Sequence, residues 1–197
     1  TPDDPRLTPI IAACAERNCV ALVGAPLAGD GGRVHIAIFS ISGAGASVAY
    51  RKQWVATTET RFTPGDDPAV LEIDGFRLGL AICKDIWVAQ HAADTVALGI
   101  DVYVAGVLNS VEEATLQSKR ARRIARDHNV WVAFASFAGS TGSGYSESAG
   151  RSSIWTPEGM LIAQAGPETG AITRATLSQA TPLRVRRTPA QVAALKN

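Results

Sequence analysis

The sequence GLAICKD at residues 79–85 decides the fold class of this chain, because it changes from an apolar run to a polar pair within a few residues. Phe76 to Ile82 has the composition and length of a buried strand, and a helical pattern follows from Val88 to Leu98. The next apolar run, Val102 to Ala105, is again of strand length. This order predicts parallel strands joined by a right-handed crossover. Cys83 then lies at the carboxyl end of a strand, where open α/β sheets place their functional sites.

Further strand and helix patterns extend in both directions from this unit. Those before it are a helix and four strands, at Leu7 to Arg17, Cys19 to Gly24, Val34 to Ser42, Ala46 to Tyr50 and Val70 to Ile73. Those after it are a basic helix and four short strands, at Val111 to His128, Val130 to Ala135, Ser153 to Thr156, Leu161 to Ala165 and Ala171 to Leu177. The continuously apolar run from Cys19 to Gly24 predicts a strand covered on both faces. The whole order predicts an α/β fold with two sheets packed face to face between helices.

Size and charge restrict the possible functions. With 197 residues, of which 46% are hydrophobic, the chain can form one core, and we expect a single domain over residues 1–197. Its 19 basic and 18 acidic residues give a net charge of +1, which provides no field to bind nucleic acid or an anionic membrane. No apolar run approaches the roughly 20 residues that cross a bilayer. We therefore expect a cytoplasmic protein whose partner is a small neutral molecule.

Cysteine and histidine spacing gives no reason to expect a metal or a cofactor. Cys14, Cys19 and Cys83 are too scattered for a disulfide framework or a CxxC zinc site, which favours a reducing compartment. The three histidines are also far apart in the sequence. No pair of cysteine and histidine has the spacing of metal ligands.

Cys83 is the candidate nucleophile. The adjacent Lys84 and the following helix start both favour the thiolate, which is the reactive form. Burial in the core is the alternative for a cysteine considered alone. Lys52 follows the strand that ends at Tyr50, and Glu59 comes seven residues later in a loop. Considered singly, both would be solvated surface residues.

Three motifs in this order resemble those of the nitrilase, or carbon–nitrogen hydrolase, superfamily. They are Tyr-Arg-Lys at residues 50–52, Glu-x-x-Phe-x-Pro-Gly at residues 59–65 and Gly-x-x-Ile-Cys-x-Asp at residues 79–85. Gly-Ile-Asp-Val at residues 99–102 and Gly-Arg-Ser-Ser-Ile at residues 150–154 are similar to further family motifs. The resemblance extends over roughly residues 7 to 177.

The resemblance implies a fold, a site and an assembly. Family members are four-layer αββα sandwiches that pair into dimers, so we expect a homodimer or a higher homo-oligomer. Cys83 matches the family nucleophile, which attacks an amide or nitrile carbon and forms a thioester. Lys52 matches the lysine that stabilises the oxyanion together with the backbone N–H of Lys84. Glu59 matches the second glutamate of the family, which holds the lysine in place.

The family's general-base glutamate has no match in this sequence. It typically precedes the helix that opens this chain, and the only glutamate before Tyr50 is Glu16, for which we expect a solvated position. We therefore expect a sandwich that lacks its first strand and helix, either because the chain is part of a longer protein or through a natural truncation. Residues 180–197 have weak periodicity and are predicted to form a C-terminal arm.

The predicted function is hydrolysis of a small linear amide or an N-carbamoyl compound, without a cofactor or a metal. The alternatives are a catalytically inactive homologue that serves as a binding or assembly module, and an acyltransferase that uses the same thioester. Trp87, Asn109 and Tyr145 are candidate residues of the substrate pocket, since we expect them at its rim.

Overall fold

The computed structural model of the protein describes residues 1–142 and 144–178, which form nine strands and three α-helices. The strands are β1 (Ala21–Ala28), β2 (Val34–Ser42), β3 (Gly45–Arg51), β4 (Val70–Ile73), β5 (Phe76–Ile82), β6 (Val102–Val107), β7 (Trp131–Ser136), β8 (Ser153–Trp155) and β9 (Leu161–Gln164). The helices are α1 (Thr8–Arg17), α2 (Ala89–Ala97) and α3 (Ala114–His128).

Two of the helices end at an asparagine in the left-handed region. Asn18 ends α1 with a φ of 46°, and Asn129 ends α3 with a φ of 53°. Asparagine tolerates this conformation better than most residues, because its short polar side chain can bond locally. The backbone N–H of Asn18 donates to carbonyl oxygens of the last helical turn, and the chain then turns towards β1.

The strands form two sheets. The first is antiparallel, in the order β1-β2-β3, and the consecutive strands β2 and β3 form a hairpin. The second has the order β4-β5-β6-β7-β8-β9, in which β5, β6 and β7 are parallel and the outer pairs are antiparallel. Helices α2 and α3 connect the parallel strands, which confirms the strand-helix-strand unit around residues 76–105.

Three apolar clusters separate the layers. Cys14 of α1 packs with Leu27 and Phe39 on one face of the first sheet. Ile38, Tyr50 and Leu80 lie in the cluster between the two sheets. The outer face of the second sheet packs against α2 and α3 through a larger cluster, whose members include Ala92, Tyr103, Ile124 and Val132. The resulting order of helix, sheet, sheet and helix agrees with the predicted α/β sandwich.

The structure corrects two strand predictions. The run from Cys19 to Gly24 was expected to be covered on both faces, but β1 is at the edge of its sheet, and Gly24 and Pro26 are exposed. An apolar run alone does not show how many neighbours a strand has. The predicted strand from Ala171 to Leu177 is wrong, because residues 171–178 contain no strand and the Ile172 side chain is 88% exposed.

Two of the predictions concern the ends of the chain. The predicted arm over residues 180–197 lies outside the described residues. The expected lack of a first strand and helix stays a prediction.

Within residues 1–142 and 144–178, no helix combines the length and apolar character that crossing a membrane requires.

Candidate active site

Cys83 is the first residue of a short 3-10 turn, Cys83–Trp87, which directly follows β5. Its φ is 47°, in the left-handed region that residues other than glycine rarely adopt. Its Sγ lies 3.7 Å from the carbonyl oxygen of Leu108, which directly follows β6. The thiol is therefore at the carboxyl ends of β5 and β6, where the sequence predicts it, and it is half-buried. Backbone conformations of this kind are concentrated at functional sites.

Lys52 is a buried cation with one carboxylate partner. Its side chain is 1% exposed, and Nζ lies 2.7 Å and 2.6 Å from the two carboxylate oxygens of Glu59. Glu59 is fixed in turn by the backbone N–H of Ala56, which donates to Oε2. Burial of an ammonium group is costly unless a partner compensates for the lost hydration. The expected pairing of Lys52 with Glu59 is thus present.

The backbone around Lys52 is held from both sides. Lys52 directly follows β3, and its N–H donates to the carbonyl oxygen of Ile36 on β2 at 2.8 Å. Its own carbonyl oxygen accepts from Gly65 N–H at 2.8 Å. A Cβ atom on Gly65 would overlap the carbonyl oxygen of Arg51. The glycine of the Glu-x-x-Phe-x-Pro-Gly motif is therefore required by this close approach of two backbone segments.

The loop after Lys52 packs against the turn that begins at Cys83. The backbone N–H of Trp54 donates to Asp85 Oδ1 at 2.9 Å, and Lys84 Nζ donates to the carbonyl oxygen of Val55 at 3.1 Å. These bonds join the two motifs that contain the candidate lysine and the candidate nucleophile. The Lys84 side chain has a linking role here, whereas the sequence analysis singles out its backbone N–H.

The three predicted pocket residues have different surroundings. Trp87 is 45% exposed, and the guanidinium carbon of Arg120 lies 3.7 Å from the centre of its ring. Tyr145 is half-buried in the loop between β7 and β8 and interacts electrostatically with Cys83 and Glu59, while burial raises the pKa of its phenol. The structure therefore brings Tyr145 into the neighbourhood of the thiol.

Asn109 is the third predicted pocket residue, and it is buried. Its side chain is 1% exposed, and its Nδ2 donates to Gln117 Oε1 at 2.8 Å. Gln117 donates in turn to the carbonyl oxygen of Gly150 and accepts from Ser136. Among the described residues, Asn109 Oδ1 has no hydrogen-bond partner. Asn109 thus lies below the rim, in a polar network that ties α3 to the strand ends.

Two charged residues outside the sequence motifs belong to the surroundings of the site, Arg120 near the thiol and Glu113 near Arg120. Arg120 of α3 interacts electrostatically with Cys83 and with Glu113, and burial lowers the pKa of its guanidinium. Its Nη1 is buried without a hydrogen-bond partner in the described part of the chain. Glu113 also interacts with Tyr145. Seven residues, two helical turns, separate Glu113 from Arg120, with the buried Gln117 between them. No local pattern distinguishes Arg120, because it is one of four arginines between residues 120 and 126.

Over the same ranges, residues 1–142 and 144–178, no three side chains of histidine, cysteine, aspartate or glutamate are close enough to hold a metal ion together. The two segments joined by the hydrogen bonds of Asp85 and Lys84 contain a thiol, a buried ammonium group and a carboxylate. A thiolate can attack a carbonyl carbon, and an adjacent cation can stabilise the negative charge that develops on the oxygen.

Comparisons with known proteins agree with this arrangement. The sequence pattern of the family described as carbon–nitrogen hydrolase matches residues 1–186. A curated relative, the hydrolase in the pqqF 5′ region of Pseudomonas protegens, is 28% identical over 171 residues. The match covers 83% of this chain and 58% of that protein, so the chain spans less than two thirds of its relative.

Solved structures of similar fold belong to nitrilase-superfamily proteins. Nit3 of Saccharomyces cerevisiae, a member of branch 10 of that superfamily, has a TM-score of 0.77 at 19% identity, over 88% of this chain and 66% of Nit3. The NitN amidase of Nesterenkonia sp. AN1 has a TM-score of 0.76 at 20% identity, over 98% of this chain and 76% of the amidase. Other structures of that amidase contain butyramide, or the product of Michael addition of acrylamide at the active-site cysteine.

Proposed function

The chain belongs to the carbon–nitrogen hydrolase family, and on that basis we propose that it cleaves the carbon–nitrogen bond of a small linear amide or N-carbamoyl compound through a thioester on Cys83. The observation that carries the proposal is the buried Lys52 ammonium, paired with Glu59 on a loop that packs against the Cys83 turn. A buried cation of this kind provides a positive charge that water does not screen.

The proposed reaction has two steps. The Cys83 thiolate attacks the carbonyl carbon, the carbon–nitrogen bond breaks, and the leaving ammonia or amine takes up a proton. A water molecule then attacks the thioester, which releases the carboxylic acid and regenerates the thiol. In both steps the carbonyl oxygen becomes negatively charged, and we assign its stabilisation to the Lys52 ammonium and the backbone N–H of Lys84.

The contacts of Lys52 fit this role. An ammonium group has three N–H donors. Two of them point to the Glu59 oxygens, at 2.7 Å and 2.6 Å. We assign the third to a substrate oxygen, while the carboxylate fixes the orientation of the lysine. Glu59 also contributes the acidic group that exchanges protons with the leaving amine or the attacking water.

We assign the substrate pocket to the space above Cys83 that Trp87 and Tyr145 border, with the buried Asn109 below its rim. Butyramide, which is bound in a structure of the Nesterenkonia amidase, is a suitable first substrate because it is a small linear amide. The proposal also includes assembly into a homodimer, which the molar mass from light scattering would test.

The experiment is incubation of the full chain with butyramide and a panel of N-carbamoyl acids. Released ammonia and the intact mass of the protein would be followed, with Cys83→Ala as the control. The proposal requires ammonia release and a transient acyl mass increment, both lost in Cys83→Ala. Equal rates with the parent and with Cys83→Ala would contradict it. Absence of any turnover or adduct would instead favour the inactive homologue.

The acyltransferase alternative shares the thioester and differs in the acceptor. Hydroxylamine added to the reaction would intercept the thioester as a hydroxamic acid. A hydroxamate yield in proportion to the nucleophile, with no acid formed in its absence, would identify the chain as a transferase.

A further inference from the structure

Four buried polar side chains form a continuous hydrogen-bonded row behind the Cys83 turn. Asp85 and Tyr103 are completely buried, His91 is 1% exposed and Tyr50 is 3% exposed. Tyr50 Oη lies 2.8 Å from Asp85 Oδ2 and 2.9 Å from His91 Nε2. His91 Nδ1 lies 2.9 Å from Tyr103 Oη. The row therefore joins β3, the 83–87 turn, α2 and β6, and it contains none of the residues assigned to the chemistry.

The donors in this row all point towards Asp85. Burial lowers the pKa of His91, so its ring is neutral and has one N–H. Burial raises the pKa of both tyrosines, so each keeps its proton. Tyr50 donates to the carboxylate and therefore accepts from His91 Nε2–H, which leaves His91 Nδ1 to accept from Tyr103. In this arrangement each hydroxyl group and the ring N–H of the row donate to an acceptor within the row.

Asp85 connects the nucleophile to the lysine loop. Its Oδ2 accepts from the N–H of Ile82 at 2.8 Å, and Ile82 is the residue before Cys83. Its Oδ1 accepts from the N–H of Trp54 at 2.9 Å, and Trp54 is two residues after Lys52. With Tyr50, three donors surround one carboxylate, which favours its ionised form although burial raises its pKa. A single side chain is therefore bonded to both segments that contain the reacting groups.

We infer that Asp85 is a positioning residue that fixes the Cys83 thiol relative to the Lys52 ammonium. Tyr50, His91 and Tyr103 support it, and the four side chains together form a positioning network. The inference rests on the proposed function for its kinetic consequence. Cys83 needs such support because its left-handed backbone is unfavourable for a cysteine, and the Ile82 N–H bond fixes the residue before it. His91 and Tyr103 act one step further back, by fixing the Tyr50 hydroxyl.

Tyr50→Phe is the most direct test, because it removes one hydroxyl and keeps the ring. Displacement of a reacting group by about 1 Å can reduce a rate by about 100-fold, so we expect kcat for butyramide to fall by at least about ten-fold. KM should change by less than about three-fold, since none of the four side chains is assigned to the substrate pocket. The double variant of Tyr50→Phe with His91→Gln should be no slower than the slower single variant, because both act on the same contact.

The stability control is Phe39→Leu. Phe39 of β2 belongs to the cluster between α1 and the first sheet, whereas Tyr50 belongs to the cluster between the two sheets, so we expect Phe39→Leu to lower stability without disturbing Asp85. At a matched loss of unfolding free energy, kcat of Phe39→Leu should stay within about two-fold of the parent. Equal losses of kcat in both variants, or multiplying effects in the double variant, would overturn the inference.

A second measurement does not depend on hydrolysis. Acrylamide modification of Cys83 would be followed by peptide mass, with the exposed Cys19 as the internal reference. Loss of the Tyr50 hydroxyl should let the Cys83 turn leave the geometry that the row maintains, so Tyr50→Phe should lower the ratio of Cys83 to Cys19 rates by about five-fold or more. An unchanged ratio overturns the inference. If the parent hydrolyses no amide but the ratio still falls, the proposed function fails and the positioning network stands.

Discussion

Glu59 binds the Lys52 ammonium with both carboxylate oxygens, at 2.7 Å and 2.6 Å, while the lysine side chain is 1% exposed and the glutamate side chain is 24% exposed. This pair differs in kind from the ion pair of Glu72 and Arg77, whose side chains are 67% and 40% exposed. Both pairs have a shortest distance of 2.6 Å, but only the pair of Lys52 and Glu59 contains a buried cation.

Removal of the buried partner should be costly. Glu59→Ala leaves an uncompensated buried ammonium, and breaking a buried pair in this way costs about 3–5 kcal/mol. Because Glu59 is partly exposed, we expect the lower end of that range. Glu72→Ala should change the unfolding free energy by less than about 1 kcal/mol. Urea unfolding of both variants measures the difference, and equal losses would show that the pair is of the surface type.

Stability and activity should separate at Lys52. Lys52→Met removes the proposed oxyanion cation, and loss of such a group reduces kcat by about 100- to 1,000-fold. Addition of Glu59→Gln to Lys52→Met removes the unpaired, partly buried carboxylate as well, so the double variant should regain stability without regaining activity. Recovery of turnover together with stability would mean that Lys52 has a structural role only.

Two glycines offer a matched test of backbone packing. A Cβ atom on Gly65 would collide with the backbone of Arg51, whereas one on Gly106 of β6 meets nothing within 4 Å. Overpacking costs about 1–3 kcal/mol, and for Gly65→Ala we expect the upper part of this range together with loss of activity, since Arg51 precedes Lys52. Gly106→Ala should be nearly neutral. Thermal unfolding and turnover of both variants test the expectation.

Stability should decrease in mild acid because of His91. Its pKa is lowered from 6.5 in the folded chain, since burial disfavours the charged ring. Below pH 6.5 the unfolded chain binds this proton first, so the unfolding free energy should fall as the pH drops from 7 towards the folded-state pKa. Urea midpoints at several pH values measure the slope. His91→Gln should reduce it, and an equal slope in that variant would assign the effect to other groups.

Arg120 should influence the thiol through its charge. It interacts electrostatically with Cys83, whereas Arg122 is exposed on the same helix. Arg120→Gln should slow acrylamide modification of Cys83 by several-fold, since a neighbouring cation favours the thiolate. Arg122→Gln should leave the rate unchanged. A similar decrease in both variants would indicate a general effect of net charge.

Much of the fold was predictable because local patterns determine it. The change from apolar strand to polar turn at residues 79–85, the hairpin and the strand-helix-strand order all reflect local periodicity and turn composition. The edge position of β1 and the unpaired residues 171–178 were not predictable, because strand pairing depends on distant parts of the chain.

Only those residues of the site that lie in the sequence motifs were predictable. Their order identified Cys83, Lys52 and Glu59 as candidates, and the structure pairs the last two directly. The bond between Tyr50 and Asp85 joins residues 35 positions apart, and no spacing rule indicates it. Arg120 was one of several arginines on α3, and helical periodicity does not show which of them faces the thiol.

The left-handed backbone at Cys83 also concerns the natural selection of a cysteine at this position. Glycine would relieve the steric cost at this position, so the cysteine is retained against a simple stabilising substitution. A protein that served only as a scaffold would gain from that exchange, because the hydrogen bond of the thiol among the described residues is a weak one, at 3.7 Å. The conformation of a single residue thus weighs against the inactive homologue, since natural sequences keep such local defects mainly where function depends on them.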